Sequence, residues 1–248
     1  MNTIYILWLR QVKRYFRSRA RVIGSLGQPL LFLLAMSFGF GPIYERAGGG
    51  NYIQFLAPGI IATSILFTAL FSGIEIIWDK EFGFLKETLV APVSRFNIMI
   101  GRTLGGATVA MLQGIIVLFI SFFTGFRIDN LLLIPLGLIF MFLVALLFAA
   151  FGTAIASILE DMQGFQLIMN FLVMPLFFLS GALFPLEELP KSLRTISCMN
   201  PLSYGVDGIR ATLAGGAHFG IGLDIVVLTL ITLVLLYIGS RLFNRIQA

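Results

Sequence analysis

The sequence predicts an all-α membrane protein with six transmembrane helices. Of its 248 residues, 58% are hydrophobic and only 12% are charged, whereas soluble domains carry about 25% charged residues. Six apolar stretches approach or exceed the roughly 20 residues that a helix needs to cross a bilayer. These stretches are continuously apolar and lack the two-residue alternation of transmembrane β-strands, which excludes a β-barrel.

The six predicted spans follow one another within a single membrane domain, residues 1–248, whose bundle occupies residues 22–248. Lipid offers no partners to backbone amides, so each span is expected to be helical. Pro135 and Pro175 are expected to kink the fourth and fifth spans. The spans are Val22–Phe40, Phe55–Ile77, Thr103–Phe126, Leu131–Leu159, Phe165–Leu183 and Ile221–Ser240.

The distribution of lysine and arginine predicts the orientation of these spans. If the N-terminus is cytoplasmic, 12 of the 17 basic residues fall in cytoplasmic segments. Cytoplasmic loops of membrane proteins carry such an excess. We therefore expect a multi-pass protein of the cell (plasma) membrane with both termini in the cytoplasm.

Residues 1–21 predict an amphipathic helix that lies at the membrane interface. On a helical projection one face is basic and the opposite face is apolar, a pattern typical of helices lying on anionic lipid. This helix is either a topology anchor or a cuff that also touches a cytoplasmic partner. The basic face holds Arg10, Lys13, Arg14, Arg17 and Arg21, and the apolar face holds Ile4, Tyr5, Trp8, Leu9, Val12, Tyr15 and Phe16.

The loop between the second and third spans, residues 79–95, combines charged residues with a short apolar face. Phe82, Leu85 and Leu89 share one side of a predicted helix, which Pro92 ends because a residue before proline disfavours the helical conformation. A solvated loop is one interpretation. A helix that docks into a groove of a soluble partner is the other.

Residues 185–219, the polar segment, are too polar to cross the membrane completely. Asn200 can cap a helix that Pro201 begins, and Asp207 and Arg210 are spaced to form an i,i+3 ion pair. The apolar stripe of this helix is expected to pack on the fifth and sixth spans, and it consists of Leu202, Val206, Ile209 and Leu213.

Two motifs resemble those of the type-two ABC exporter permeases, and most closely the daunorubicin-resistance permeases. The first motif is an acidic-basic-acidic triplet, Asp79-Lys80-Glu81, followed by Gly83, Leu85, Leu89, Ala91-Pro92 and Arg95. Lys80 stands where arginine is common in the family. The second motif runs from Phe178-Leu179-Ser180-Gly181 and Phe184-Pro185 through Leu189-Pro190 to Asn200-Pro201-Leu202-Ser203-Tyr204, Asp207-Gly208 and Arg210.

The resemblance implies a permease that pairs with a second permease copy through spans one and five and docks two ABC ATPase subunits. The second copy is expected to be identical, although a heterodimer with a similar permease stays open. The polar segment would form two external half-helices that dip into the outer leaflet. The implied ATPase-coupling residues are Asp79, Glu81, Gly83, Leu85, Lys86, Glu87, Leu89, Pro92 and Arg95, and the implied external gate comprises Gly181, Pro185, Asn200, Pro201, Tyr204, Asp207 and Arg210.

The sequence offers no candidate catalytic, cofactor-binding or metal-binding residues. It contains no phosphate-binding P-loop motif, so ATP and magnesium are expected on the partner ATPase alone. His218 is the only histidine, and no nucleophile–base arrangement is identifiable. The chain is therefore not expected to be an enzyme. Its expected partners are the ATPase, the second permease, membrane lipid and the substrate, without nucleic acid.

The expected function is export of an amphiphilic drug, as in multidrug efflux, or of a lipid or lipid-linked glycan. A secondary carrier driven by an ion gradient and a non-transporting membrane scaffold are the alternatives. Carriers usually place several ionisable residues near the midplane, and the predicted spans have none there. Glu75 is expected near the surface or paired with Arg102, while Gln113 and Asn170 are expected to bond between helices.

Overall fold

The computed structural model describes residues 3–47, 50–84 and 93–244, and all regular secondary structure within these ranges is helical. The helices are α1 (Thr3–Arg17), α2 (Arg19–Arg46), α3 (Tyr52–Phe71), α4 (Ile74–Glu81), α5 (Arg95–Phe123), α6 (Ile134–Ile158), α7 (Met162–Phe178), α8 (Lys191–Met199), α9 (Pro201–Leu213) and α10 (Ile221–Phe243). Two short 3-10 helices cover Leu131–Leu133 and Leu186–Glu188. The predicted all-α class is confirmed.

Five helical stretches in the described ranges are long and apolar enough to cross a membrane. They are Val22–Arg46, Tyr52–Glu81, Arg95–Phe123, Leu131–Ile158 and Ile221–Phe243. The predicted fifth span corresponds to α7, which is apolar but has only 17 residues. At 1.5 Å per residue it extends about 25 Å, slightly less than a typical hydrocarbon core. The count of six spans therefore stays a prediction that depends on α7.

The second span is interrupted where the sequence predicts a continuous helix. Between α3 and α4, Gly73 lies against the backbone of Gly152 on α6, so a Cβ atom at Gly73 would stand only 2.5 Å from the Gly152 carbonyl oxygen. Gly152 in turn lies against the Leu70 carbonyl. The close crossing of two backbones requires glycine on both sides, and it coincides with the break.

Several other helix bounds differ from the predicted spans. Pro135 occupies the first turn of α6, where its missing N–H is tolerated, so it helps begin the helix instead of kinking it. The third span begins eight residues early at Arg95, because the Ser94 hydroxyl caps it by accepting from the Asn97 N–H at 3.2 Å. Pro29 and Pro42 lie within α2 without ending it.

The centre of the bundle is formed by α3, α5 and α6, each of which packs against the other two. Helix α10 packs on α6, and α9 fills the space between α3, α6 and α10. Helices α2 and α7 lie against α3 at the periphery. Among the five long stretches, Tyr52–Glu81 is the most buried and Val22–Arg46 the least.

The N-terminal helix α1 packs lengthwise along α5. Gly101 and Gly105 open a groove in α5 in which Leu7 and Gln11 lie, and a Cβ atom at Gly105 would meet the Cβ of Gln11 at 2.7 Å. The Trp8 indole N–H donates to the Thr108 hydroxyl at 2.9 Å. One side of α1 is therefore occupied by protein, while the placement of α1 at a lipid interface stays a prediction.

Candidate functional site

Buried charges bind α4 to the N-terminal helix and to α5. Asp79 accepts from Arg10 at 3.2 Å and pairs with Arg102. Arg14 lies 3.6 Å from Glu75 and 5.5 Å from the ring of Trp78. Two arginines of the predicted lipid-facing stripe thus face acidic residues. Arg102, the residue with which Glu75 was expected to pair if it did not lie near the surface, forms an ion pair with Asp79.

Lys80 and Trp78 connect α4 to the helices on its other side. The Lys80 ammonium donates to the carbonyl oxygens of Ala156, Ser157 and Leu159 at 3.0–3.1 Å, which caps the C-terminal end of α6. The Trp78 indole donates to the sulfur of Met162 at the start of α7. Helix α4 is therefore held by α1, α5, α6 and α7 together.

Only part of the predicted coupling loop falls in the described residues. Asp79 and Glu81 lie in the last turn of α4, and Gly83 follows with a φ of 78°, which favours glycine. Arg95 begins α5 and donates to the Asn244 carbonyl at 2.8 Å, which joins the start of α5 to the end of α10. The remaining predicted residues lie outside the described residues, namely Leu85, Lys86, Glu87, Leu89 and Pro92.

Asn200 and Ser203 join the polar segment to the end of α7. As predicted, the Asn200 side chain caps α9 by accepting from the Leu202 N–H at 2.9 Å, and Pro201 is the first residue of that helix. The Asn200 amide also donates to the Leu176 carbonyl at 2.7 Å. The Ser203 hydroxyl lies within hydrogen-bond distance of two carbonyl oxygens, that of Ser197 at 2.8 Å and that of Leu179 at 3.2 Å. The cap residue of α9 thus satisfies one carbonyl in the last turn of α7, where carbonyls lack partners within the helix.

Asp207 and Arg210 bind backbone groups, not each other as predicted. Asp207 accepts from the N–H groups of residues 218 and 219 at 2.7 Å and of residue 220 at 3.4 Å. Arg210 donates to the Phe55 carbonyl at 3.2 Å and to Gly181 at 2.8 Å, and lies over the Phe55 ring at 4.0 Å. Each charged residue fastens a loop or helix end to α9.

Three further predicted gate residues, Tyr204, Gly181 and Pro185, lie in or beside the polar segment. Tyr204 donates to the Cys198 carbonyl at 2.7 Å, and burial raises the pKa of its phenol, so it remains a donor. Gly181 has a φ of 73°, and a Cβ atom there would stand 2.8 Å from the side chain of Leu186. Pro185 begins the 3-10 turn that follows.

The apolar stripe of α9 is completely buried, and it packs on the predicted sixth span, α10, but on α6 and α3 in place of the predicted fifth span. Leu202, Val206, Ile209 and Leu213 are each at most 1% exposed. Helix α9 packs mainly on α6, α10 and α3. On α6, Phe140 and Val144 lie against Gly208 and Gly205 of α9. The fifth span, α7, contacts α9 chiefly through the capping bonds of Asn200 and Ser203.

A cavity of about 530 Å³ lies between α2, α3 and α7, and α1 and α4 contribute to one part of it. Its walls combine aromatic rings with hydroxyl and amide groups, which is the composition of a site for a molecule with both apolar and polar parts. The aromatic residues are Phe32, Phe67, Phe71, Trp78 and Phe177. The polar residues include Gln28, Thr63, Ser64, Thr68, Ser72 and Asn170.

Gln113 supports the cavity wall from behind. Its side-chain oxygen accepts from the Tyr15 hydroxyl at 2.7 Å and from the Ser25 hydroxyl at 2.9 Å. Both donors line the cavity, and burial is the main influence on the pKa of Tyr15, which it raises. The predicted role of Gln113 in bonding between helices is confirmed, because it joins α5 to α1 and α2.

Sequence reasoning missed several residues of these sites. Arg10, Arg102 and Lys80 form the connections of α4, although the sequence had suggested other roles for them or none, and most cavity residues were not singled out. Asp224 is fully buried in α10. A lone acidic residue inside a predicted span was the available signal for Asp224, whereas hydroxyl and phenylalanine residues in apolar helices carry no comparable signal.

Five long apolar helices in the described ranges define a multi-pass membrane protein. Residues 2–214 match the ABC-2 type transporter family, and the chain belongs to that family. It is a family of transport permeases and not of enzymes.

Curated relatives resemble this chain over most of its length. A putative transport permease, ycf38, of Cyanophora paradoxa is 32% identical over 80% of this chain and 71% of the relative. Nodulation protein J of Rhizobium leguminosarum bv. viciae is 28% identical over 91% of this chain and 87% of its own length. The inner membrane transport permease YadH of Escherichia coli (strain K12) is 28% identical over 84% and 82%.

Proposed function

We propose that this chain is the membrane-spanning permease of an ATP-driven ABC exporter for an amphiphilic molecule. Its substrate class would be a drug, a lipid or a lipid-linked glycan. The observation that carries the proposal is the cavity between α2, α3 and α7. Its volume of about 530 Å³ falls in the range of small-molecule sites, roughly 300–1,000 Å³.

The lining of the cavity favours an amphiphile. Phe67 and Phe71 stack with ring centroids 6.5 Å apart on the same side of α3, which gives an apolar surface one helical turn long. Thr63, Ser64 and Thr68 offer hydroxyl groups on that helix. Aromatic and hydroxyl groups together can hold an acyl chain or ring system beside a polar head group without an ion pair.

The connections of α4 support an ATPase partner docked at loop 79–95. A soluble ATPase bound there would pull on Asp79 and Lys80, whose partners lie on α1, α5 and α6. Packed helices transmit such a pull as rigid-body movement. Movement of α4 would therefore change the cavity directly, since Glu75 and Trp78 line it. ATP and magnesium would be bound by that partner.

The exposed surface of α2 supports pairing with a second permease copy through α2 and α7. Leu31 and Phe38 on α2 are 69% and 80% exposed. Phe171 on α7 is 79% exposed, and α2 contacts α7 through the rings of Phe32 and Phe177, 5.7 Å apart. A homodimer is the arrangement we propose. The complex would reside in the cell membrane, with both termini cytoplasmic.

The proposal is tested by reconstituting the chain with its ATPase in proteoliposomes. A fluorescent amphiphile should leave the ATP-accessible side at a rate that depends on ATP. Ser64→Trp should reduce transport at least several-fold, because Ser64 lines the cavity and is only 3% exposed. The matched control is Leu230→Trp on α10, whose side chain is 57% exposed and lies outside the cavity lining.

The same assay separates the alternative functions. Transport that needs an ion gradient and ignores ATP would identify a secondary carrier. Absence of transport, with the ATPase bound and active, would identify a scaffold. If transport falls equally in the Ser64→Trp and Leu230→Trp variants, the cavity is not the substrate site. That result would not contradict the proposed ATPase partner.

A further inference from the structure

A fully buried amide beside the cavity uses only one half of its hydrogen-bonding capacity. Gln113 of α5 is 0% exposed. Its side-chain oxygen lies 2.7 Å from the hydroxyl of Tyr15 and 2.9 Å from that of Ser25. Its side-chain nitrogen, in contrast, has no hydrogen-bond partner in the part of the chain that the structure describes. Buried polar groups almost always have a partner, so the two N–H groups of Gln113 require an acceptor that these residues do not supply.

The nitrogen without a partner lies where α1, α2 and α5 meet at the cavity. Tyr15 and Ser25, which contact the Gln113 oxygen, both line the cavity. Val109 also lines it and lies one helical turn before Gln113, on the same side of α5. The Gln113 amide therefore stands directly behind the two hydroxyl groups, at the edge of the cavity. We call Tyr15, Ser25 and Gln113 the polar corner.

The cavity lining around the polar corner is uncharged. Among the described residues, the lining from these three helices offers hydroxyl and amide groups but no ionic partner. Burying a charged group without a partner is much less favourable than burying a neutral one. The corner therefore suits an uncharged acceptor, such as a hydroxyl, carbonyl or ether oxygen. The lining residues from α1, α2 and α5 are Gln11, Tyr15, Gly24, Ser25, Gln28, Pro29, Phe32 and Val109.

The polarity of the cavity changes along α2. Ser25, Gln28 and Phe32 all line the cavity, and their spacing of i, i+3 and i+7 places them on one face of the helix. Phe32 lies against Phe177 of α7, with ring centroids 5.7 Å apart. The hydroxyl end and the aromatic end of this face are about 10 Å apart, at 1.5 Å per residue. A bound amphiphile should therefore have one favoured orientation.

We infer that the polar corner is the subsite for the polar group of the transported amphiphile, and that this group is an uncharged hydrogen-bond acceptor. Its oxygen accepts from the Gln113 amide, and the apolar part of the molecule lies against Phe32 and Phe177. The inference rests on the proposed function, because it names what the same cavity recognises. It favours a drug or lipid with a neutral polar group over a molecule that brings an anionic group into the cavity.

Binding of two matched probes tests the inference without ATP or the ATPase. 1-Pyrenebutanol carries one hydroxyl group, and 1-butylpyrene is the same molecule without it. The full chain in liposomes is titrated with each probe, and saturable energy transfer from tryptophan to pyrene reports binding, since Trp78 lines the cavity. The probes are compared at equal mole fraction in the lipid, which removes their difference in membrane partition. Pyrenebutanol should bind about 3- to 10-fold more tightly, the effect of one neutral hydrogen bond.

Substitutions in the polar corner should remove this preference. Gln113→Leu keeps the approximate size of the side chain but lacks the N–H groups, so it should bind both probes equally. Ser25→Ala is a smaller change, and it should reduce the preference because it removes a hydroxyl from the same corner. The matched control is Gln54→Leu on α3. Gln54 lies outside the cavity lining and accepts from the Arg127 N–H at 3.4 Å, so this variant should keep the wild-type preference.

The preference for pyrenebutanol decides between the outcomes. A preference that survives in Gln113→Leu overturns the inference, and if that variant does not fold, survival in Ser25→Ala overturns it. Equal binding of both probes to the wild type also overturns it, because water would then satisfy the Gln113 amide, while the proposed function would stand. If neither probe shows saturable binding, the cavity is not a site for amphiphiles, and the proposed function loses its main support together with the inference.

Discussion

Asp79 and Arg102 are each 4% exposed, so the ion pair between them is almost completely removed from water. Arg10, on α1, binds the same carboxylate from a more exposed position. Taking two charges out of water is costly, and a buried pair is weak evidence for added stability. Its better supported effect is on geometry, because Arg102 would lose the carboxylate that it is paired with if Asp79 were absent, whereas Asp79 would still have Arg10.

Asp79→Asn should therefore lower the free energy of unfolding by about 3–5 kcal/mol, the typical cost of leaving one member of a buried pair. The Tm of the purified protein in detergent measures this loss. Asp79→Asn combined with Arg102→Met should recover a substantial part of it, because the uncompensated charge is then absent. Additive losses in the double variant would show that the two residues are not energetically coupled.

A substitution at Lys80 tests whether the connection from α4 to α6 is needed for ATP-dependent transport. Lys80→Met keeps the aliphatic stem but removes the donor to three carbonyls at the end of α6. Charge-assisted hydrogen bonds contribute about 1.5–3 kcal/mol, which corresponds to a roughly 10- to 150-fold change in an equilibrium. We expect ATP-dependent transport to fall while the ATPase remains bound.

Lys80→Arg is the matched variant, since it keeps the charge and the donors. It should retain most of the transport activity. If Lys80→Met transports as fast as the wild type, the connection from α4 to α6 has no part in coupling, even though it caps the helix.

At the scale of elements, the polar residues of α9 form hydrogen bonds with backbone groups at the ends of neighbouring helices and in a loop. Its charged and amide groups bind α7, α3 and the 218–220 loop. Its apolar stripe is buried on α6 and α10. Both sides of α9 are thus used for attachment, so its position should depend on packing as much as on hydrogen bonds.

Ile209→Asp should prevent stable folding or displace α9, because a carboxylate without partners would replace a side chain that is 0% exposed. The control is Met199→Asp at the end of α8, where the side chain is 80% exposed. Yield of folded protein after size-exclusion chromatography distinguishes the two. Equal yields for both variants would contradict the packing described for α9.

The sequence correctly predicted those elements that are determined by residues close together in the chain. Apolar runs located the long helices, and the Asn200-Pro201 cap of α9 could be recognised because cap and helix are adjacent in the chain. The break between α3 and α4 could not be recognised, because it depends on Gly152, about 80 residues later. The same applies to Arg102, whose partner Asp79 is 23 residues away and was not the acid expected for it.

At the scale of the whole molecule, orientation is the first property to test. In a Cys198→Ser background, which removes the only cysteine, Lys191→Cys should react with an impermeant thiol reagent added outside the cell. Position 191 is the exposed first residue of α8. Reaction only after the membrane is opened would place loop 79–95 outside, where no cytoplasmic ATPase could reach it.

Pairing with a second copy is the other property of the whole molecule. In the same background, Phe38→Cys on α2 should give a cross-linked dimer with a short bismaleimide reagent, because α2 is the least buried long helix. Leu230→Cys on α10 serves as the control for an exposed apolar position elsewhere. Cross-linking at Leu230 but not at Phe38 would move the interface from α2 to α10.

The packing of α1 against α5 also determines when α1 can reach its final position during biosynthesis. Trp8 bonds to Thr108, 100 residues later in the chain, so the ribosome must make four further helices before α1 can reach its groove. At about 5–20 residues per second, the N-terminal helix waits on the order of 5–20 seconds. During that interval the apolar face of α1 is not yet buried against α5, so it can bind chaperones or the lipid surface. Closure of α1 onto Gly101 and Gly105 is therefore a late step, which marks the completion of the first half of the bundle.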